Sequence, residues 1–188
     1  AKFLESQEMP ELALEVASDP DHRFDLAVSL GRFDVALDIA RSGPASGAEM
    51  RWRTIGDRAL ARWNVPLAQE CFEHASDMHS LFLIATAKRD AGLLRRVAQA
   101  ARTQGELNLA VAAFVQLQDA DALVDILCDV QRPAEAALYA RTYAPHLVPR
   151  AVDAWKSSFA AQKSAKQQQM GERIGDPRTE PASFPELS

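Results

Sequence analysis

Short stretches of apolar residues at helical spacing run along the chain, and the clearest of them covers residues 64–77. Its apolar positions are 67, 68, 71, 72 and 75, which form one stripe along a helix. Asn64 is placed to cap this helix, Pro66 suits its first turn, and Ser76 and Asp77 open the next element. A helix of about three turns is marginal alone in water. We therefore expect it to gain its stability by packing this stripe against neighbouring helices.

Small residues recur in a second pattern, in which Ala is followed four residues later by Ala or Phe. The pattern includes Ala13 with Ala17, Ala36 with Ala40, Ala68 with Phe72, Ala110 with Phe114, and Ala136 with Ala140. Small side chains let two helix backbones approach closely, as stacked helical hairpins require. The intervals between the first alanines are 23, 32, 42 and 26, so no fixed period holds. The pattern predicts an all-α fold, a degenerate TPR-like helical-hairpin solenoid of about 12 helices.

Other stripes carry more specific predictions. Gly56 lies within the stripe of residues 48–63 and indicates a close helix crossing. Residues 81–85 are apolar all round, which predicts a helix covered on several sides. All three tryptophans fall on helical stripes, so we expect core packing for Trp52, Trp63 and Trp155. No alternation of period two is long enough to predict a strand.

After the last apolar stripe, the chain changes from apolar helices to a mainly polar segment. The stripe consists of Val148, Val152, Trp155 and Phe159. We therefore predict a solenoid at residues 1–160 and a polar helix or linker with an extended tail at 161–188, where residues 175–177 form a turn. A terminal repeat needs a polar outer face or a cover. The tail, through Phe184 and Leu187, or a partner could supply this cover, and we expect a partner with the tail as a partial cap.

Composition and charge narrow the function classes. The chain has 188 residues, 47% of them hydrophobic, and a net charge of −5 with acids and bases interleaved, which favours neither nucleic-acid nor direct lipid binding. The run that reads as its most apolar, at residues 81–87, is far short of the ~20 residues that a membrane span requires. Two cysteines on helical stripes and no signal peptide predict a reduced, intracellular protein. Since the chain begins without methionine, in what reads as a helix at Phe3 and Leu4, we expect it to be part of a larger protein.

Residues with catalytic or metal-binding chemistry are sparse. Cys71, His74 and His79 have a spacing that could suggest a metal site, but Cys71 lies on the apolar stripe and no C-x-x-C or H-E-x-x-H motif accompanies it. Acidic residues nearby, such as Glu73 and Asp77, read as a solvated helix face rather than a catalytic pair. The eight glycines are scattered and form no phosphate-binding loop. We predict no enzyme activity, no cofactor and no metal site, and expect Cys71 to be a structural thiol.

Four segments stand in a definite order along the chain: DPDHRFDLA at 19–27, LAQEC at 67–71, LIATA at 83–87 and PAEAALYARTYAP at 133–145. Together they strongly resemble the alpha-solenoid of the beta-prime subunit of the COPI coatomer, and the resemblance spans essentially the whole chain. The alpha subunit of the same coat shares elements near residues 19–36. The LAQEC segment and the ARTY segment look like beta-prime.

This resemblance implies a non-enzymatic scaffold of the COPI vesicle coat. It implies pairing with the alpha subunit, contacts with other coatomer subunits, and a role in Golgi-to-endoplasmic-reticulum retrograde and intra-Golgi transport. It also implies a cytoplasmic location with peripheral association, through the coat, with the Golgi membrane and COPI-coated vesicles, and neither nucleic acid nor a small-molecule substrate as partner. Within this chain, the predicted partner-binding residues are Tyr143, Val152, Trp155, Phe159, Phe184 and Leu187.

Two alternatives from other classes stay open. One is a generic helical-repeat adaptor in another protein-trafficking complex, holding a short peptide in a concave groove. It would need exposed polar and aromatic residues along the inner helices, whereas those positions here read Ala, Leu and Val. The other is a cryptic metal hydrolase using Cys71 and His74, which the absence of stoichiometric zinc from the purified chain would exclude.

Overall fold

The computed structural model describes residues 9–161 and 165–185 of the chain. Within these residues it contains twelve α-helices and two short 3₁₀ turns, and it forms no strand. The chain divides into two compact units, Ala1–Asp90 and Ala91–Ser188. The predicted helix at Phe3 and Leu4 lies outside the described residues. The domain boundary predicted after residue 160 falls within the second unit and stays a prediction.

The first unit contains α1 (Pro10–Val16), α2 (Pro20–Leu30), α3 (Phe33–Ser42), α4 (Ala48–Ala61), α5 (Val65–His74) and α6 (Met78–Lys88). The second contains α7 (Ala91–Gln104), α8 (Leu107–Leu117), α9 (Ala120–Asp129), α10 (Pro133–Tyr143), α11 (Val148–Ala160) and α12 (Ala165–Glu172), with 3₁₀ turns at Pro145–Leu147 and Pro181–Ser183. Within each unit, helices adjacent in sequence pack together. α2 also contacts α4, and α9 also contacts α11, as stacked hairpins do.

The α5 helix forms as its sequence predicts. The Asn64 side chain accepts a hydrogen bond from the Leu67 backbone N–H at 3.4 Å, and Pro66 lies in the first turn. Asp77 caps α6 in the same way, accepting from the Ser80 backbone N–H at 3.1 Å. Both predicted ends of this helix are therefore confirmed.

The recurring small residues lie in the helix interfaces. All ten positions of the Ala-to-Ala/Phe pattern are buried, and none is more than 9% exposed. A Cβ atom at Gly56 of α4 would lie only 2.6 Å from Cε1 of Phe72 on α5. Only glycine therefore allows this approach, and the predicted close crossing is confirmed.

Seven connections between helices share one backbone geometry. In each connection one residue has positive φ, and the N–H of the residue after it donates to a carbonyl five residues earlier at 2.8–3.2 Å, as in a Schellman cap. The positive-φ residues of these turns are Gly31, Trp63, Ser76, Arg89, Gly105, Gln118 and Gln131. They recur every 13 residues at 63, 76 and 89 in the first unit, and at 105, 118 and 131 in the second. The chain thus has a local helix-turn period that the alanine intervals do not reveal.

Two predictions about the core of the first unit are wrong. Trp63 is 86% exposed, because α4 ends at Ala61 and the left-handed conformation of Trp63, with φ of 59°, takes its side chain off the stripe. In α6, Leu83 is 65% exposed while Ile84 on the packed face is 4% exposed. Although α6 carries apolar residues on all faces, it is therefore covered mainly on one side. Trp52, in contrast, is buried as predicted.

The C-terminal tail also differs from its predicted extended form. Its residues 181–183 form a single 3₁₀ turn, in which the Phe184 backbone N–H donates to the Pro181 carbonyl at 3.0 Å. The prolines allow this turn because Pro181 stands at its first position, where no N–H is needed. The predicted turn at residues 175–177 is followed by hydrogen bonds from the Thr179 and Glu180 N–H groups to the Asp176 carbonyl.

We predict that Ala68→Trp destabilises the first unit far more than Glu73→Trp. Ala68 is 0% exposed and Glu73 lies on the exposed face of the same helix. Overpacking a core costs about 1–3 kcal/mol, and an indole in place of a methyl should exceed that range. Thermal denaturation followed by circular dichroism measures the difference. Equal melting temperatures for the two variants would show that the buried face of α5 is assigned wrongly.

A second prediction concerns the left-handed turns. Gln118 has φ of 54°, a conformation that costs a residue with a Cβ atom about 1–2 kcal/mol and glycine almost nothing. After the larger unfolded-state entropy of glycine is subtracted, Gln118→Gly should stabilise the chain by about 0.5–1 kcal/mol.

Gln116→Gly is the matched control, because Gln116 is exposed within α8. Glycine there should destabilise the chain by about 0.5–1 kcal/mol. Urea denaturation of both variants gives the two free energies of unfolding. A loss of stability in Gln118→Gly equal to that in Gln116→Gly would contradict the turn geometry.

Candidate interaction surface

The tail lies back on α10 and α11 of the second unit. Phe184 is 8% exposed, and the Arg141 guanidinium of α10 lies over its ring, 5.1 Å from the ring centroid. Arg141 Nη2 also donates to the Ser183 carbonyl at 3.4 Å. The tail therefore covers part of the last apolar stripe.

A buried aspartate fixes the start of this tail. Asp176 is 4% exposed and accepts hydrogen bonds from the Arg178 backbone N–H at 3.0 Å and from Arg178 Nε at 2.9 Å. It also pairs with Lys156 Nζ of α11 at 3.1 Å. Arg178 in turn forms an ion pair with Asp153 of α11. These four residues, the Asp176 cluster, join the tail to the helix.

The charges of the Asp176 cluster stabilise one another. The side-chain hydrogen bonds from Arg178 hold the pKa of Asp176 well below its ordinary value, with the Arg178 backbone N–H and Lys156 acting in the same direction against burial. The hydrogen bonds to Asp176 and Asp153 raise the pKa of Arg178. A carboxylate with a depressed pKa contributes stability above the ordinary pKa and loses it as the pH falls through the folded value. Asp176 and Arg178 are therefore both charged at neutral pH.

The structure places the six predicted partner-binding residues in different environments. Val152 and Phe184 are buried, Trp155 and Phe159 are partly buried, Tyr143 is 68% exposed, and Leu187 lies outside the described residues. Val152 and Phe184 could reach a partner only after the tail moves. Tyr143 packs its ring on Tyr139, with 4.8 Å between centroids, and stays accessible. Partner binding by these residues stays a prediction.

Trp155 lies between two cavities of the second unit. A cavity of about 680 Å³ lies between the α9–α10 turn and α11, and its walls include Arg132, Pro133 and Phe159. The other, of about 500 Å³, lies beneath the tail, with Phe184 in its wall. The tail thus covers the stripe without filling the space against it.

The proposed metal ligands occupy structural positions. Cys71 is 0% exposed, and burial raises the pKa of its thiol to about 11. His74 stacks its ring on Trp52, with 4.3 Å between centroids. Within residues 9–161 and 165–185, no three His, Cys, Asp or Glu side chains cluster as metal ligands would. Burial and the raised pKa fit a structural thiol at Cys71.

Asp77 is not part of a solvated helix face, contrary to the sequence interpretation. Its side chain is 12% exposed and forms an ion pair with Arg53 Nε of α4 at 3.0 Å. Burial alone would raise the pKa of Asp77, but hydrogen bonds from Ser80 and the charge of Arg53 outweigh it and hold the pKa below its ordinary value. Asp77 therefore joins α4 to the start of α6.

The Gly-Asp-Pro turn itself is the only local sign of the Asp176 cluster in the sequence. An Asp followed two residues later by Arg can form a local ion pair, which is the one signal that could have been followed. The other partners, Asp153 and Lys156, come from α11 at separations of 25 and 20 residues, which no local pattern reports.

Helical hairpins with small-residue interfaces and one shared turn geometry define a class, the TPR-like helical-repeat proteins. The family described as the COPA/B TPR domain matches residues 1–156, and the chain belongs to this family. The all-α, TPR-like solenoid class and the resemblance predicted from the residues are both confirmed.

The chain is also similar to several coatomer subunits. The chain is 36% identical over 187 residues to coatomer subunit beta'-2 of Oryza sativa subsp. japonica, and 35% identical to coatomer subunit beta' of Drosophila melanogaster and of Homo sapiens. Each alignment covers 100% of this chain and 19–20% of the relative. The chain thus spans about a fifth of the length of these relatives. Among its described residues, no helix has both the length and the hydrophobicity to cross a bilayer.

We predict that Asp176→Asn loosens the tail. Loss of the carboxylate charge removes the ion pair with Lys156 and leaves Arg178 only Asp153 as a charged partner. Amide hydrogen exchange at residues 176–184 should become faster at pH 7. In the wild-type chain the protection of the same amides should be lost only below pH 3.8, the ordinary aspartate value, as the pH falls toward the lowered pKa of Asp176. Protection is taken as the ratio of intrinsic to observed exchange rate, because intrinsic exchange itself slows as the pH falls.

Asp153→Asn is the control for this prediction, because Asp153 is 56% exposed and contacts only Arg178 in the cluster. Its effect on hydrogen exchange should be smaller than that of Asp176→Asn. Unchanged exchange in Asp176→Asn would contradict the assigned role of the cluster.

Proposed function

We propose that this chain is a non-enzymatic scaffold segment of the COPI vesicle coat. The single observation that carries the proposal is its membership of the COPA/B TPR domain family, over residues 1–156. The names of its relatives, which are coatomer subunits, point the same way. In this role the chain holds other coat subunits in place through its helical faces.

The chemistry of the described residues supports a scaffold rather than an enzyme. Its helix interfaces consist of alanine, glycine and other apolar residues. Two largely buried carboxylates are both held in ion pairs within the chain, those of Asp77 and Asp176. A carboxylate that acts as a general acid at neutral pH needs a raised pKa, and both of these have lowered pKa values.

We further propose the alpha subunit of coatomer as the direct partner, within a coat that contains the other coatomer subunits. The transport steps assigned to the chain are Golgi-to-endoplasmic-reticulum retrograde and intra-Golgi transport. Its location is cytoplasmic, with peripheral association with the Golgi membrane and COPI-coated vesicles through the coat. These assignments rest on the family resemblance.

For the partner-binding surface, we propose the side of α11 that carries Trp155 and Phe159. Both side chains are only partly buried, and both line the cavity of about 680 Å³. A partly covered aromatic next to open space gains burial when a partner fills that space, and such residues dominate interface energies. Tyr143, exposed at the end of α10, is a further contact in this proposal.

The test combines Trp155→Ala with Phe159→Ala and measures capture by the alpha-subunit solenoid. The double variant should bind at least tenfold more weakly than the wild-type chain, since two aromatic anchors are lost. A longer beta-prime protein is the positive control for the capture conditions. Failure of the wild-type chain to bind where the longer protein binds would count against the proposed function.

Trp63→Ala is the matched control, because Trp63 is 86% exposed and lies in the first unit, outside the proposed surface. It should leave binding unchanged. Circular dichroism of each variant checks that helical content is retained. Loss of binding in Trp63→Ala, or unchanged binding in the double variant, would place the partner surface elsewhere.

The second candidate function is a peptide-binding adaptor in another protein-trafficking complex. One observation favours it: an irregular segment, the tail, already lies against α10 and α11 and buries an aromatic side chain there. Capture of peptides without capture of the alpha subunit would favour the adaptor over the coat scaffold.

A further inference from the structure

A groove between α10 and α11 holds the chain's own tail. Its apolar walls are Ala137, Leu138, Val148, Val152 and Trp155. We call this the α10–α11 groove. The segment that lies on it, residues 174–184, contains one 3₁₀ turn and otherwise no regular structure. The groove therefore receives an irregular peptide segment rather than a helix.

Two anchors, eight residues apart, hold this segment. At one end Asp176 meets Lys156 of α11, and at the other Phe184 is buried under Arg141 of α10. The residues between the anchors are mostly exposed, at positions 178–183. Besides these two anchors, Arg178 of the tail pairs with Asp153 of α11, and the Ser183 carbonyl accepts from Arg141, so a few separate groups hold the segment in the groove.

The fit of the tail to the groove is incomplete. A cavity of about 500 Å³ remains between them, and Leu138 on the groove wall is 64% exposed. This space is open to solvent at the surface, and residues 178–183 of the tail are exposed beside it. The tail therefore resembles a docked ligand more than a segment of the core.

From these contacts we propose that the α10–α11 groove is a peptide-binding site and that the tail occupies it as an intramolecular ligand. The external ligand is a segment of another protein with the same two anchors, a carboxylate in an Asp-Pro turn and an aromatic side chain eight residues later. Charge complementarity with Lys156 selects the carboxylate, and the apolar walls select the ring. This inference does not depend on the coat scaffold proposal, because it concerns only contacts within the second unit.

The tethered tail competes with any external segment. A ligand joined to its site by a short linker has an effective concentration in the millimolar range, so an external peptide of the same affinity is excluded at lower concentrations. Release of the tail should therefore reveal binding that the wild-type chain hides.

The test uses the full chain with Asp176→Asn and Phe184→Ala together, the release variant, which leaves every groove residue unchanged. The probe is a fluorescently labelled synthetic peptide of residues 173–185 with the wild-type sequence, followed by fluorescence anisotropy. The peptide should bind the release variant at least tenfold more tightly than it binds the wild-type chain. A peptide carrying the same two substitutions should bind neither chain.

A charge exchange provides a second variant. Lys156→Glu in the release variant should weaken peptide binding at least tenfold, and a peptide with Asp176→Lys should bind this chain better than the wild-type peptide does. Lys156 is 34% exposed on its side chain, and circular dichroism checks that the helices are retained. Equal peptide binding by the wild-type chain and the release variant, or no binding by a release variant of unchanged helical content, would overturn the proposal.

Discussion

The hydrogen bond that closes each helix connection is the constraint on which the rest of this structure depends. In seven connections, the N–H of the residue that follows the positive-φ position donates to a carbonyl in the last turn of the helix before it. The accepting residues are Ala27, Ala59, Phe72, Ala85, Ala101, Phe114 and Leu127, none more than 5% exposed. Each therefore anchors a turn by its backbone and packs in a helix interface by its side chain. Turn geometry and core packing are set by the same residues.

Much of the fold could be predicted from the sequence because it is local. Helix caps such as Asn64, small interface residues such as Ala68 and the glycine at 56 act within one helix or between neighbours. The exposure of Trp63 could not be predicted from the stripe, since it depends on a left-handed residue that is not glycine. Leu83 was misjudged for another reason. Apolar residues on every face of a helix show which side chains can be buried. They do not show which of those side chains have a neighbouring helix to pack against.

The candidate surface was less accessible to sequence reasoning than the fold. The stripe through Val152 and Trp155 was found correctly as apolar, but the choice between tail and partner as its cover depends on contacts across 20 residues or more. Lys156 and Asp153 look like ordinary surface charges until Asp176 is placed beside them. Desolvation of Asp176 opposes the attraction of Arg178 and Lys156, and the net result still lowers its pKa.

The connection between α3 and α4 does not use the shared turn, and its length decides where the chain can accept an insertion. Where the shared turn occurs in the first unit, it leaves no spare residue, so one inserted residue would rotate the following helix by about 100° and move its stripe off the interface. Between α3 and α4, residues 43–47 form a longer loop, exposed at Pro44, Ala45 and Ser46. An insertion there lengthens the loop and leaves both stripes in place. Residues 43–47 are therefore where related chains can differ in length at the least cost to the fold.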